Sequence, residues 1–401
     1  LRAASDSTHG SRVEADLRLA GDVAFMTGQV FASGSSDHGL TAARIELGRR
    51  DPDAGLLGPL GATEFRMGDV TTASLPLGLR GIAGRGAMVS NTPLETASVF
   101  DRIDLRGELP DGYEAELYRN NTLIGSTRTA VDGRYEFLQV PVEFGLNVFR
   151  LVLYGPQGQR REDVRRISVG DGRLGTGELR YAFGMAQKDV NLLGVHGADF
   201  TPGQDHAAWR ATGQVLYGLG PAVTTMLGGA WYESGGRRNW LATAGLRTGA
   251  GAMAAQLDLG LNRAGGKAVQ ARLGGNLAGI NWTASHAEYF GSFSDELRAF
   301  TIDPLRRASE ADFNATLRLG SATGGRTIPL AARTRRIEFA DGRVQTDASR
   351  RASTLVRRLL VSNSVNFTQA SAPGAGGATR LAGSFDLASL SGSRTQYRAS
   401  L

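Results

Sequence analysis

A chain of 401 residues with 41% hydrophobic residues, 55 glycines and no cysteine is long enough for two or three domains but has no disulfide framework or thiolate metal site to hold them. No apolar run reaches the about 18 residues of a transmembrane helix, which excludes such a helix but leaves membrane-crossing strands open. The net charge of +6 rests on 45 basic residues, all arginine except Lys188 and Lys267; their dispersal along polar strand faces and turns argues against a nucleic-acid-binding stripe.

The first element is a strand in which Val13, Ala15, Leu17 and Leu19 alternate with Glu14, Asp16 and Arg18. One face suits lipid and the other water. The same dyad returns in Trp209, Ala211, Gly213, Val215 and Tyr217 against Arg210, Thr212 and Gln214. It recurs in Met253, Ala255, Leu257, Leu259 and Leu261 against Ala254, Gln256, Asp258, Gly260 and Asn262, and in Phe313, Ala315, Leu317 and Leu319 against Asn314, Thr316 and Arg318. With their flanks these stretches reach about 9 to 11 residues, the length at which a tilted strand crosses the hydrocarbon layer. About five such strands precede residue 95 and about twelve follow residue 175, joined by turns such as Glu233-Ser234-Gly235-Gly236 and Ala264-Gly265-Gly266. A soluble sandwich or a β-solenoid also alternates in this way, but many long strands with no helical segment between them favour a barrel.

Residues 98–170 have shorter spacing. Strands are expected over 100–106 and 113–118, with a turn at Asn120-Asn121, a return over 122–130, a second turn at Asp132-Gly133, and a strand opening at Arg134. Asn147 to Tyr154 is nearly continuous in apolar residues, as burial in a sandwich core allows, and Gly155-Pro156-Gln157-Gly158 turns it into a partner over 160–169. Turn signals every 8 to 12 positions over about 75 residues mark a small immunoglobulin-like sandwich. The organisation is therefore first barrel strands in 1–94, an inserted β-sandwich plug in 95–170, and further barrel strands in 171–401. The fold class is all-β, a transmembrane antiparallel barrel carrying the sandwich inside its sequence. Leu1 is not an initiator, and the chain stops in strand-like sequence without a terminal aromatic residue, so a fragment of a longer protein is expected, with the barrel incomplete.

Several motifs carry the sequence towards one family. Leu79-Arg80-Gly81 leads to Val89-Ser90-Asn91, where outer-membrane ushers of the chaperone-usher pilus pathway have Phe-Arg-Gly, a short strand and a Ser-Asp pair. Leu105-Arg106-Gly107 matches the first plug strand of that family, and residues 115–121 match its Val-x-Val-x-x-Asn-Gly hairpin. The chain thus resembles the usher family over residues 60–190 in detail and elsewhere in strand rhythm. The family's Pro-Gly-Pro-Phe core and acidic turn are replaced, and its chaperone-binding domain is not matched. The Asp132-Gly133-Arg134-Tyr135-Glu136-Phe137 element also resembles carboxypeptidase regulatory-like sandwiches. The resemblance implies a plugged pore in the outer membrane of a Gram-negative bacterium, surrounded by outer-membrane lipid and receiving pilin-like subunits from a periplasmic chaperone.

A wide barrel would leak continuously, so a folded plug needs polar contacts that hold it reversibly. Arg210, Gln214, Asp258, Asn262 and Arg318 are the candidate lumen-facing residues, and Gly84 and Gly86 before the insert with Gly170, Gly172 and Gly175 after it are the candidate hinges. No catalytic, cofactor or metal residue is expected, and no enzyme activity. Gly170 to Gly175 spells the dinucleotide-binding pattern, but a strand rather than a helix is expected after it. His9, His38, His196, His206 and His286 have no zinc-ligand spacing, Asp51 and Asp53 fit a solvated turn, and no Gly-x-Ser-x-Gly is present. The arginine clusters at 160–161 with 165–166, 333 with 335–336, and 357–358 suit either phosphate contacts or rim charge. Two alternatives stand beside the usher-like pore: an export channel for polysaccharide or another polymer, and a soluble or surface-anchored β-rich adhesin.

Overall fold

A computed structural model describes residues 2–6, 10–36, 39–93, 96–98, 100, 102–110, 112–120, 122–127, 134–155, 159–197, 200–299, 303–319, 326–356, 359–389 and 398–400. Six strands come first: β1 (Arg2–Asp6), β2 (Gly10–Val23), β3 (Met26–Ser35), β4 (Gly39–Arg50), β5 (Glu64–Thr71) and β6 (Ala83–Ser90). Seven shorter ones follow: β7 (Thr96–Ser98), β8 (Arg102–Glu108), β9 (Glu114–Arg119), β10 (Thr122–Thr127), β11 (Arg134–Pro141), β12 (Gly145–Tyr154) and β13 (Arg160–Gly170). The series resumes with β14 (Leu179–Lys188), β15 (Trp209–Gly218), β16 (Val223–Ser234), β17 (Arg237–Ala250), β18 (Met253–Asn262), β19 (Lys267–Leu277) and β20 (Ile280–Phe290). A four-residue helix, α1 (Glu296–Ala299), precedes β21 (Leu305–Leu319), β22 (Arg326–Phe339), β23 (Val344–Val356), β24 (Leu359–Ala372), β25 (Ala375–Ser389) and β26 (Arg398–Ser400).

Nineteen strands, β1 to β6 and β14 to β26, form one sheet. Every step is antiparallel and sequential except one: β6 pairs with β14, from Ser90 opposite Ala182 to Gly84 opposite Lys188, so the intervening chain leaves the sheet and returns beside its point of departure. Among the described residues, β1 pairs only with β2 and β26 only with β25. Six strands precede the insert and thirteen follow it, one more on each side than the alternation indicated.

The dyad pattern becomes two faces. In β18, Met253, Leu257, Leu259 and Leu261 are exposed while Ala254, Gln256, Asp258 and Gly260 are buried. Outward Leu227, Leu246, Leu273 and Phe313 extend the exposed apolar face to neighbouring strands. An inside-out arrangement, apolar residues exposed and polar ones buried, is what lipid around a sheet requires. Tight turns keep the strands in register: Gly235 (φ 57°) and Gly236 (φ 71°) occupy the two-residue β16–β17 loop, where both positions need positive φ to match strand twist.

The insert forms two sheets of its own, β10-β9-β12-β13-β7 and β11-β8, with β7 parallel to β13. Between them lie Phe100, Leu105, Leu117, Tyr135, Phe137, Phe149, Leu151 and Leu153, all buried. The first expected strand, 100–106, is shifted to Arg102–Glu108, and 122–130 is described only to Thr127. The turns at 132–133 and 156–158, and Asn121, lie outside the described residues.

Sheet curvature follows from what the insert touches. Arg18 of β2 pairs with Glu108 of the insert, and Arg351 of β23 bonds the Leu123 carbonyl on its other side. These strands are fourteen steps apart in the sheet, about 67 Å if it were flat at about 4.8 Å per step. A domain of about 75 residues is only about 30 Å across. The sheet therefore curls round the insert.

Two connections also fold inward. Residues 72–82, between β5 and β6, bury Leu75, Leu77, Leu79 and Ile82. The first three pack with Leu241, Ala268, Tyr289, Phe293, Leu305 and Ile337 of the opposite wall and its loops. The β20–β21 connection supplies Phe293, Asp295 and α1; Asp295 Oδ1 accepts the Gly78 N–H at 3.2 Å, and the Gly78 carbonyl accepts the Glu296 N–H at 2.8 Å.

Candidate functional site

The site is the interface between the inner face of the sheet and the insert, and its contacts are mainly polar. On β9, alternation would place successive residues on opposite faces, yet five residues from Ala115 to Arg119 are buried: Ala115 and Leu117 enter the sandwich core, while Tyr118 bonds Glu116 and lies under Arg150 of β12. Arg119 ends that strand only 3% exposed. Its guanidinium donates to the Pro141 carbonyl at 2.6 Å, lies 2.7 Å from Glu143, and donates across the interface to Asn314 Oδ1 of β21 at 2.7 Å. Burial draws the Arg119 pKa below the usual arginine range against the pull of the Glu143 and Asp312 carboxylates, so the cation depends on its partners.

Three more ties surround this one. Arg272 of β19 donates to the Phe100 carbonyl at 2.9 Å and to the Pro76 carbonyl at 2.6 Å, joining wall, insert and inward connection through one fork. Glu108 of β8 lies 3.2 Å from Arg18; burial raises its carboxyl pKa, opposed by Arg18 and Arg44 and reinforced by Asp16 and Glu46. Arg351 of β23 donates to the Leu123 carbonyl of β10. The apolar contribution is small: Ala254 of β18 joins the insert core near Phe100.

The sequence candidates for lumen contacts are placed differently. Arg210 is buried on the inner face but forms a bidentate pair with Glu296 of α1 at 2.8 and 2.9 Å and donates to the Arg80 carbonyl, so it fastens the inward connections rather than the insert. Asp258 is fully buried and accepts from Gln256 at 2.5 Å within its own strand. Asn262 organises the β18–β19 turn, accepting the Gly266 N–H at 2.8 Å and donating to the Ser292 carbonyl at 2.7 Å. Gln214 lines a cavity of about 300 Å³ with Phe100, Asp104 and Arg106 of the insert. Arg318 lies in β21 opposite Thr327, and its side chain is outside the described residues. Arg18, Arg272, Asn314 and Arg351, which do reach the insert, sit on the same polar phase of their strands. Alternation identifies that phase but not which of its members faces a separately folded body.

The hinge assignments change as well. Gly84 and Gly86 lie inside β6, laddered to β5 and β14 on both sides. A Cβ there would stand 1.8 Å from the Gln187 carbonyl oxygen and 1.9 Å from that of Met185; these glycines permit close strand approach and are not a hinge. After the insert, Gly172 has φ 78°, but the following segment is tethered. Asp171 accepts from the Arg173 N–H and Nε, Leu174 N–H donates to Thr224, and Gly175 N–H donates to Glu178. Gly170 is the one candidate hinge at a strand end with open space around it. The glycine pattern at 170–175 leads into β14 rather than a helix, as expected from sequence.

His196 and His206, ten residues apart in sequence, meet with Phe200 in the β14–β15 connection, the His196–Phe200 rings stacked at 4.1 Å and the two imidazoles 5.8 Å apart. His9 and His38 lie outside the described residues; among those described, no group of three or more metal-ligating side chains converges. Arg333, Arg335 and Arg336 pair with Glu310 and Asp312, Asp347, and Glu338 within the sheet, while 357–358 lie outside the described residues.

No family model matches this chain, and no curated protein matches it in sequence. Solved structures do. The P pilus usher PapC translocation pore aligns over 97% of this chain and 91% of its own at 12% identity and a TM-score of 0.44. Acinetobacter baumannii OccAB4 aligns over 97% and 96% at 8% identity and 0.36. Wzi, an outer-membrane carbohydrate-binding β-barrel involved in group 1 capsule assembly in Escherichia coli, aligns over 94% and 82% at 9% identity and 0.36.

Proposed function

We propose that this protein is a gated outer-membrane translocation pore in which the inserted sandwich is the plug. The observation that supports this reading is the direct β6–β14 ladder combined with insert contacts to β2 on one side and β19, β21 and β23 on the other. Among the described residues the wall runs from β6 to β14 without the insert, and the insert touches the inner face of strands far apart along it. An exposed apolar face of strands long enough to cross a bilayer supports a location in the outer membrane. The polar insert contacts suit release better than permanent docking: they are single hydrogen bonds and one charge pair, Arg18–Glu108, whose side chains are a third exposed and which is worth only about 0 to 1 kcal/mol.

Within that reading the transported material is a folded subunit delivered by a periplasmic chaperone, as in the usher family whose motifs residues 60–190 resemble. Subunit handover by strand addition would then occur at the pore mouth. Replacing residues 96–169 with a short Gly/Ser linker should leave a folded barrel with large, steady conductance in planar bilayers, where the parent is mostly closed. A folded deletion variant that conducts no more than the parent would refute the plug assignment. Recovery of chaperone-subunit complexes in pull-downs with the full chain would favour the usher reading; recovery of polymer-synthesis components alone would favour a polysaccharide export channel.

A further inference from the structure

The arginines at 161 and 165 leave the sequence without an assigned role, and the structure gives them company. Between the inner face of β2 to β5 and the facing side of the insert lies a cavity of about 410 Å³. Eight arginines line it against four carboxylates, divided evenly: four come from the wall, including Arg44 and Arg66, and four from the insert, including Arg134 and Arg161. Much of this charge is balanced locally, since Arg18 meets Glu108, Arg66 meets Glu46 and Glu64, Arg50 meets Glu64, Arg106 meets Asp104 and Glu136, and Arg165 meets Asp163. Among the groups that line the gap itself, arginines outnumber carboxylates four to two on each bank. The Nε–H of Arg134 is buried there without a hydrogen-bond acceptor among the described residues.

Opposed guanidinium groups across a confined gap repel one another, and their interaction is screened less than that of groups in bulk water. A multiply charged anion between them reverses the sign of that interaction. Guanidinium groups favour phosphate in particular, because two N–H donors match two phosphate oxygens. Arginines on opposite banks favour a ligand with several phosphates over a single one. We propose that this cavity binds a soluble oligophosphate that bridges the insert to the wall. A lipid-borne phosphate is disfavoured by placement: the lining arginines occupy the inner face of the sheet, whereas Leu17, Leu19 and Met67 carry the exposed outer face of the same strands.

Calorimetric titration of the full, detergent-solubilised chain with tripolyphosphate, at about 0.15 M salt to suppress surface binding, tests this inference independently of conductance. Saturable binding of one ligand per chain is expected. Arg134→Gln with Arg161→Gln should weaken it about tenfold or more, and Arg44→Gln on the wall should weaken it also. Arg343→Gln, which removes a guanidinium paired with Asp303 and Asp341 at the β22–β23 turn, should leave it unchanged. Should the double variant fail to fold, Arg161→Gln alone, at an exposed position of β13, carries the same test. Absence of saturable binding, or equal weakening by Arg343→Gln, overturns the site; tighter binding to vesicles bearing lipid phosphate than to tripolyphosphate overturns the soluble source.

Discussion

Asn314→Leu is the cleanest way to weaken the seating of the insert without disturbing its fold. The substitution keeps a comparable volume on β21 and removes one acceptor from Arg119. Two of the three polar ties of that guanidinium, to Pro141 and Glu143, are internal to the insert; only the bond to Asn314 crosses the interface. A hydrogen bond to a charged group is worth about 1.5 to 3 kcal/mol. Because Glu143 still neutralises Arg119, the lower end applies, so the unseated population should rise about tenfold. Single-channel recording in planar bilayers should show openings about ten times as frequent with unchanged unitary conductance. Arg119→Met should raise them further, since half-buried Glu143 then loses its 2.7 Å partner as well. The two changes should be non-additive by about 1.5 kcal/mol in a double-mutant cycle. An additive cycle, or an Asn314→Leu variant whose opening frequency matches the parent, would refute the interface as the element that holds the insert.

Three further outcomes follow from the geometry. Leu257→Arg, at an exposed position of the outer face, should cost about 2 to 4 kcal/mol of folding stability in lipid if it lies near mid-bilayer; a cost near zero in equilibrium folding into vesicles would count against a lipid-facing surface. Gly86→Ala should impair barrel assembly, measured as heat-modifiable gel migration, because its Cβ would meet the Met185 carbonyl oxygen, whereas Gly170→Ala has open space and should be tolerated. The raised Glu108 pKa means that the seated insert binds this proton more tightly than the released one. Seating is then favoured below the ordinary glutamate range and weakens as pH rises through the raised value, a dependence that Glu108→Gln should flatten in pH-dependent conductance.

Much of the wall was legible because lipid forces a rule on every strand. The alternation at Met253 to Asn262 fixes which residues face outward, and the structure places Leu257, Leu259 and Leu261 there. The strands of the insert were legible for the same reason at shorter range: Leu117, Phe149, Leu151 and Leu153 mark core positions whose burial depends on neighbours close in sequence. Contacts between wall and insert were not legible. Arg119 and Asn314 are 195 residues apart, and nothing local to either sequence requires the other. Arg210 illustrates the opposite error. Its strand phase is inward as expected, but its partner is Glu296, in a connection whose inward fold depends on Leu75, Leu77 and Phe293 meeting across the interior. Gly84 and Gly86 misled because glycine marks close backbone approach as readily as flexibility.

The two bodies inside the sheet are held by different physics, and the difference assigns them different roles. The 72–82 connection buries Leu75, Leu77 and Leu79 against the opposite wall. Gly228 and Gly260 make room there: a Cβ on the first would lie 3.1 Å from Leu75, and on the second 3.0 Å from Leu77 and 2.9 Å from Phe293. Three buried leucines contribute about 1.5 to 3 kcal/mol each. Arg210 adds a bidentate pair with Glu296 that would leave a poorly solvated carboxylate if broken. This connection is therefore built to stay. The insert, by contrast, keeps its apolar residues for its own core and meets the wall through Arg18, Arg119, Arg272 and Arg351, bonds that water can replace one at a time. A body that folds by itself and docks through replaceable bonds can leave without unfolding. Residues 72–82 can leave only by exposing leucine to water. In the proposed gate, the insert is therefore the part expected to move, and the 72–82 connection the frame against which it would close.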